Sequence, residues 1–218
     1  MSLAILIMGE SGSGKTTSLR GLDPKTTLYI DADKKGLSWR GWKKHYSEQN
    51  KNYLRTSSVE MIMKFLGRVD MGDMKHINTV VIDTLNGIMV DDEMARANEK
   101  SYDKWVDLAA SVYGIITRIN DMRDGLTVIC TGHTQTDADD NGYVFTHLKT
   151  SGRKLNKIVL ESKFTTVLWA KCVDGQYVFE TRADHSTAKT PMGAFGEKVI
   201  PNDIMSVIKT LKEFEMED

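Results

Sequence analysis

Two apolar patterns alternate along the chain: unbroken runs, and segments whose apolar positions recur every three or four residues. "LAILIM" (3–8) is apolar throughout, as a strand buried on both faces would be, and it breaks into a glycine-rich stretch in which a helix should start. "TTLYID" (26–31) predicts a second strand, entered through the turn signal Asp23-Pro24. A helix is expected over 59–69, and "INTVVID" (77–83) has the β-branched content of a central strand. Trp105, Leu108, Ala109, Val112, Ile115, Ile116, Ile119 and Met122 then fall at helical spacing, predicting a long amphipathic helix over 102–123. "LTVICTG" (126–132) predicts another buried strand.

Beyond it the pattern weakens. "HTQTDADDNGYVFTHLKTSGR" predicts a long loop or a loose hairpin turning at Asn141-Gly142, and a loop of that length is usually functional or disordered. A helix is expected over 154–161. "KFTTVLWAKCVDGQYVFETR" predicts a β-hairpin with Asp174-Gly175 at its turn. An irregular stretch, "ADHSTAKTPMGAFGE", leads to a terminal helix over 201–214. Strands alternating with helices imply an α/β fold with a mostly parallel sheet, helices on both faces and a C-terminal β-hairpin. With no repeat and no linker, the expectation is one domain over 1–218.

Composition adds little to this picture: 40% hydrophobic and 27% charged residues are ordinary for a globular chain. No apolar run approaches the roughly 20 residues of a membrane span, and the N-terminus has no signal-peptide pattern. Cys130 and Cys172 are the only cysteines, too few for a disulfide framework or a complete zinc site, so a cytoplasmic setting is expected. Charge matters through its placement. Segment 34–55 holds seven basic residues, Lys43 and Lys44 among them, against Glu48 alone, interleaved with Trp39, Trp42, Tyr46 and Tyr53. Cations for phosphates and aromatic faces for bases are what a single-strand site combines; a solvated basic surface over a few core aromatics is the plain alternative.

Gly9-Glu10-Ser11-Gly12-Ser13-Gly14-Lys15-Thr16, followed by Thr17, satisfies every fixed position of G-x-x-x-x-G-K-[ST]. The glycines let successive N–H groups turn inward around a phosphate, Lys15 reaches the β- and γ-phosphates, and the Thr16 hydroxyl ligates Mg²⁺. A nucleoside triphosphate with Mg²⁺ is therefore the expected ligand pair. "TVVIDT" places Asp83 at a strand end, where it either caps the strand or holds the metal through water; the P-loop favours the metal.

Two further strand ends resemble those of RecA-type ATPases. "LYIDADKKG" puts Asp33 where such proteins carry the glutamate that polarises the attacking water, unless Asp31 and Asp33 merely close a turn. "VICTGHTQ" puts His133 where a polar γ-phosphate sensor stands, with Gln135 two residues on. Together with "GLDP", "KTPMGAFGE" and "IPNDIMSVIKTL", most of the chain resembles the small phage-encoded RecA-core ATPases, a branch of the Sak single-strand annealing proteins. That resemblance implies a RecA-like fold, ATP with Mg²⁺, catalytic roles for Lys15, Asp33, Asp83 and His133, single-stranded DNA as partner, homo-oligomerisation, and work in phage recombination or repair beside a single-strand binding protein. It places DNA contacts after the sensor strand, where Lys149, Arg153, Lys154 and Lys157 are the basic candidates. It also implies a cation reaching a neighbour's γ-phosphate, with Arg182 and Lys189 ahead of Lys171. A nucleotide-gated module that recruits partners with little turnover is the alternative, motivated by the acidic "EFEMED" and the irregular 183–197. A small-molecule kinase fits less well, because the long loop has acids where an arginine-rich lid would be.

Overall fold

A computed structural model of the chain describes residues 1–99, 103–138, 140–151 and 158–216. The chain order is β1 (Leu3–Met8), α1 (Lys15–Ser18), β2 (Thr27–Asp31), β3 (Tyr53–Leu54), α2 (Val59–Asp70), β4 (Thr79–Asp83), α3 (Leu85–Ala95), α4 (Asp103–Asn120), β5 (Thr127–Gly132), β6 (Thr134–Ala138), β7 (Val144–Leu148), β8 (Thr166–Val173), β9 (Gln176–Glu180), β10 (Val199–Pro201) and α5 (Ile204–Met216). Eight strands form one sheet in the order β10-β9-β8-β1-β5-β4-β2-β3, while β6 and β7 form a separate two-stranded sheet whose Thr146 also bridges to Ser186. From β8 to β3 all neighbours run parallel; β9 and β10 add an antiparallel edge. The mostly parallel α/β sheet and its C-terminal hairpin are thus present.

Burial explains the apolar runs. In β1, Ala4, Leu6 and Met8 point into a core shared with α2, α3 and α4, while Leu3, Ile5 and Ile7 point into a second core shared with α5. A strand covered on both faces has no polar position to spare. Ser58 caps α2, its hydroxyl accepting the Met61 N–H at 3.3 Å.

The structure departs from the sequence reading in particular places. Helix α3 carries only a short apolar face (Leu85, Ile88, Met89) around Gly87, too little periodicity to register. Strands β3 and β10 are two and three residues long, below what a pattern can resolve. Thr134–Ala138 and Val144–Leu148 form a regular antiparallel ladder, Thr134 opposite Leu148 to Ala138 opposite Val144, so the hairpin alternative is the one realised. The helix expected over 154–161 lies partly outside the described residues, and Leu160–Lys163 is a 3-10 turn. Among the described residues no helix is long and apolar enough to cross a membrane.

Candidate functional site

The parallel strands β1, β2, β4 and β5 end at one edge of the sheet, and their following residues converge there. Strand β5 lies between β1 and β4, so the P-loop strand and the Asp83 strand are next-but-one neighbours. That spacing leaves room for Thr16, at the start of α1, to reach across: its hydroxyl donates to Asp83 Oδ2 at 2.9 Å. The same oxygen accepts the Tyr29 hydroxyl of β2 at 2.6 Å, and Oδ1 accepts the Thr131 hydroxyl of β5 at 2.5 Å. Asp83 is 1% exposed, so three hydroxyl donors hold an otherwise costly buried carboxylate. Tyr29 and Thr131 carried no sequence signal; their roles appear only when three strands are in register.

The loop before α1 curls into a cradle that only small residues allow. A Cβ on Gly9 would stand 2.5 Å from Ser13 Oγ and 2.6 Å from the Ala170 carbonyl, and Gly12 and Gly14 hold φ near +80° and +90°. The Ser13 hydroxyl is buried without a partner. Lys15 Nζ donates to the carbonyls of Gly9 (2.8 Å) and Glu10 (2.7 Å), neutral acceptors that a phosphate oxygen outcompetes. Burial lowers its pKa to about 8, against the pull of Asp83. Glu10, Ser11 and Gly12 are exposed, and Thr17 donates to or accepts from Ser38 at 3.0 Å. The orphaned hydroxyl, the glycine cradle and the Thr16–Asp83 pair suit a triphosphate with Mg²⁺, which would be held through Thr16 and Asp83 and would screen phosphate charge.

Asp31 and Asp33 part company. Asp31 is buried and closes the turn, accepting the Gly36 N–H (2.8 Å) and the Tyr53 hydroxyl (2.5 Å). Asp33 lies beside the site: its Oδ1 accepts the Thr84 hydroxyl at 2.8 Å and its Oδ2 meets Lys35 Nζ at 2.5 Å. Thr84 also caps α3, accepting the Gly87 N–H at 3.0 Å, and a Cβ on Gly87 would fall 2.5 Å from Asp33 Oδ1. Glycine there lets α3 start against the carboxylate.

His133 follows β5 half-buried, its pKa lowered by burial and then by the Lys15 charge, so the ring is neutral at neutral pH. The His133 main-chain N–H donates to Asn86 Oδ1 (2.7 Å), its carbonyl accepts the Lys149 N–H (2.7 Å), and Asn86 Nδ2 donates to the Lys149 carbonyl (2.9 Å). Asn86, unremarked in sequence, thus ties the end of β5 to the end of β7. Gln135 turns away, bonding both Asp137 oxygens at 3.0 Å.

The remaining candidates scatter. Lys149 is exposed where β7 ends; Arg153, Lys154 and Lys157 lie outside the described residues. Lys43 and Lys44 are exposed, but the aromatics interleaved with them face inward. Trp39 and Tyr46 pack edge-on against Tyr29, and Trp42 lies against Tyr53. The segment 34–55 therefore spends its rings on the core, and Lys34, Lys35 and Arg55 are bound to Asp91, Asp33 and the Lys34 carbonyl. Arg182 is exposed and donates to the Gly196 carbonyl, while Lys189 pairs through its main chain with Val167. Lys171 bonds Glu180 at 2.5 Å and lies 4.0 Å over the Trp169 ring. A row of rings stands instead along the hairpin, where exposed Tyr143, just before β7, stacks on half-buried Phe145 at 6.4 Å and Phe145 on half-buried His147 at 6.3 Å.

A family model described as an AAA domain matches residues 1–192 of the chain. None of the curated proteins matches it.

Proposed function

The chain belongs to this AAA domain family of nucleotide-binding ATPases, and from that premise we propose a RecA-like protein that hydrolyses ATP with Mg²⁺ while acting on single-stranded DNA. Its setting is phage recombination or repair in a host cytoplasm, as a homo-oligomer that anneals or exchanges strands. The observation that carries the ATPase reading is the Thr16 hydroxyl 2.9 Å from Asp83, with Asp33 and His133 at neighbouring strand ends.

In this reading the loop amides and Lys15 hold the β- and γ-phosphates, and Lys15 exchanges its carbonyl partners for phosphate oxygens. Asp33 takes a proton from the attacking water as oxygen bonds to the γ-phosphorus, and the bond to the β,γ-bridging oxygen breaks to release ADP and phosphate. Neutral His133 donates one ring N–H to the γ-phosphate. Its main-chain bonds to Asn86 and Lys149 would carry that contact to the hairpin, where exposed Lys149 and the stacked rings of β7 supply phosphate and base contacts. The acids Asp137 and Asp140 keep the far end of the hairpin away from the DNA backbone.

One observation favours the alternative of a recruiting module that turns over slowly. Both Asp33 oxygens are engaged, by Thr84 and Lys35, so the base is restrained until Lys35 leaves. The two readings separate on one preparation. Phosphate release together with anisotropy of a labelled oligonucleotide across a salt series supports the DNA-acting ATPase. Near-zero turnover with a nucleotide-dependent change in oligomer size supports the module.

A further inference from the structure

The P-loop accounts for phosphates and says nothing of the base. Past Thr16 a nucleoside must leave along one flank of α1, and the two flanks differ. On one, Thr17 and Ser38 satisfy each other at 3.0 Å and the rings behind them are packed into the core. On the other stands a shelf contributed by β9, the turn after β10, and α5.

Tyr177 of β9 lies directly against the loop: a Cβ on Gly14 would fall 2.8 Å from its Cδ1. Its other side is open, the residue being 52% exposed. Asn202 stands beside it, its Oδ1 3.2 Å from the same Gly14 position and its N–H bonded to the Tyr177 carbonyl at 3.3 Å. Asn202 is 8% exposed, yet its Nδ2 has no partner. A buried amide donor left unpaired costs about 1–3 kcal/mol, so it needs an explanation. Met205 extends the shelf, its Cγ 3.1 Å from where a Gly21 Cβ would be, with 42% of the residue exposed. Asn202 and Met205 both lie beyond the residues matched by the family model.

We infer that Tyr177, Asn202 and Met205 form the nucleobase subsite of the triphosphate held by the P-loop, with Tyr177 stacking on the base and the Asn202 carboxamide reading its edge. The inference rests on the triphosphate reading of that loop. It also states which base is preferred. A carboxamide offers one acceptor and one donor, matching adenine N6–H and N7, whereas guanine presents two acceptors, O6 and N7. Purine stacking on an exposed ring supplies the affinity, and the apolar Met205 side chain borders the same face.

Calorimetric titration of the full chain with ATP, GTP and inorganic tripolyphosphate separates base from phosphate. For Tyr177→Ala, ATP should bind about tenfold more weakly while tripolyphosphate binds as in wild type, and Tyr177→Phe should restore ATP affinity. Asn202→Ala should bring ATP and GTP affinities close together. Unchanged ATP affinity in Tyr177→Ala, or equal losses for ATP and tripolyphosphate, overturns the subsite. Wild-type protein that binds neither ATP nor tripolyphosphate would instead overturn the phosphate site, a distinct result.

Discussion

The strand ends around Asp83 and the β6–β7 hairpin leave the sheet within a few residues of each other, yet they handle polar side chains in opposite ways. At the strand ends the carboxylates of Asp31 and Asp83 are buried and lie opposite each other in register, and Thr131, Tyr29 and the α1 residue Thr16 converge on Asp83. On the hairpin, Asp137, Tyr143 and Val144 are exposed, and the ladder is two strands wide, with Thr146 bridged to Ser186 at its side. A site that is rigid and desolvated suits phosphoryl transfer, where positioning and electrostatics supply most of the barrier reduction. An exposed ribbon tied to that site through Asn86 suits a ligand that is long, solvated and variable. The difference teaches that chemistry and partner contact can share one structural axis while obeying different energetics.

Substitutions can break this contrast or sharpen it. The largest effect belongs to the interior: Lys15→Ala should abolish hydrolysis and weaken nucleotide binding, and measured turnover near wild type would sink the site. Asp33→Asn should lower turnover about 10²-fold or more with ATP affinity nearly intact; a mild loss would pass the base role to another carboxylate, Glu10 first. Because burial holds Lys15 at a pKa of about 8, alkaline pH discharges it before nucleotide binds. ATP affinity should therefore fall by up to about tenfold per pH unit above 8, read by titration from pH 7 to 9.5, and a flat profile would contradict the burial argument. On the hairpin the effects should be smaller and of another kind. Replacing Tyr143 and Phe145 with Ala should weaken oligonucleotide binding about tenfold. Lys149→Ala should chiefly reduce the salt dependence, by about one phosphate contact in the slope. An equal loss of ATP affinity in either hairpin variant would erase the distinction between the regions.

How much of this was legible beforehand follows the same division. The P-loop and Asp83 are local signals, a strand run into a fixed pattern, and they could be read residue by residue. Tyr29, Thr131 and Asn86 could not: each acts on a residue dozens of positions away, through strand register that no local pattern encodes. The aromatic residues show the limit most clearly. Trp39, Trp42, Tyr46 and Tyr53 sit among lysines in an irregular segment and look like a nucleic-acid surface, but irregular backbone gives no periodicity to say which way a ring points: Tyr46 is buried in the core around Tyr29, and the other three pack half-buried against it. Phe145 and His147 alternate along β7 with Tyr143 just before it, and the face the two strand residues share is fixed by the two-residue period of a strand. Their sequence, rich in acids and turn residues, hid that strand within an apparent loop.

Phosphate release from Mg–ATP, followed with and without saturating single-stranded DNA at fixed salt, tests the central claim most directly. The account predicts Mg²⁺-dependent release of free phosphate that rises when the DNA is added, as Lys35 gives up Asp33. No free phosphate under either condition, with ATP demonstrably bound, would contradict it.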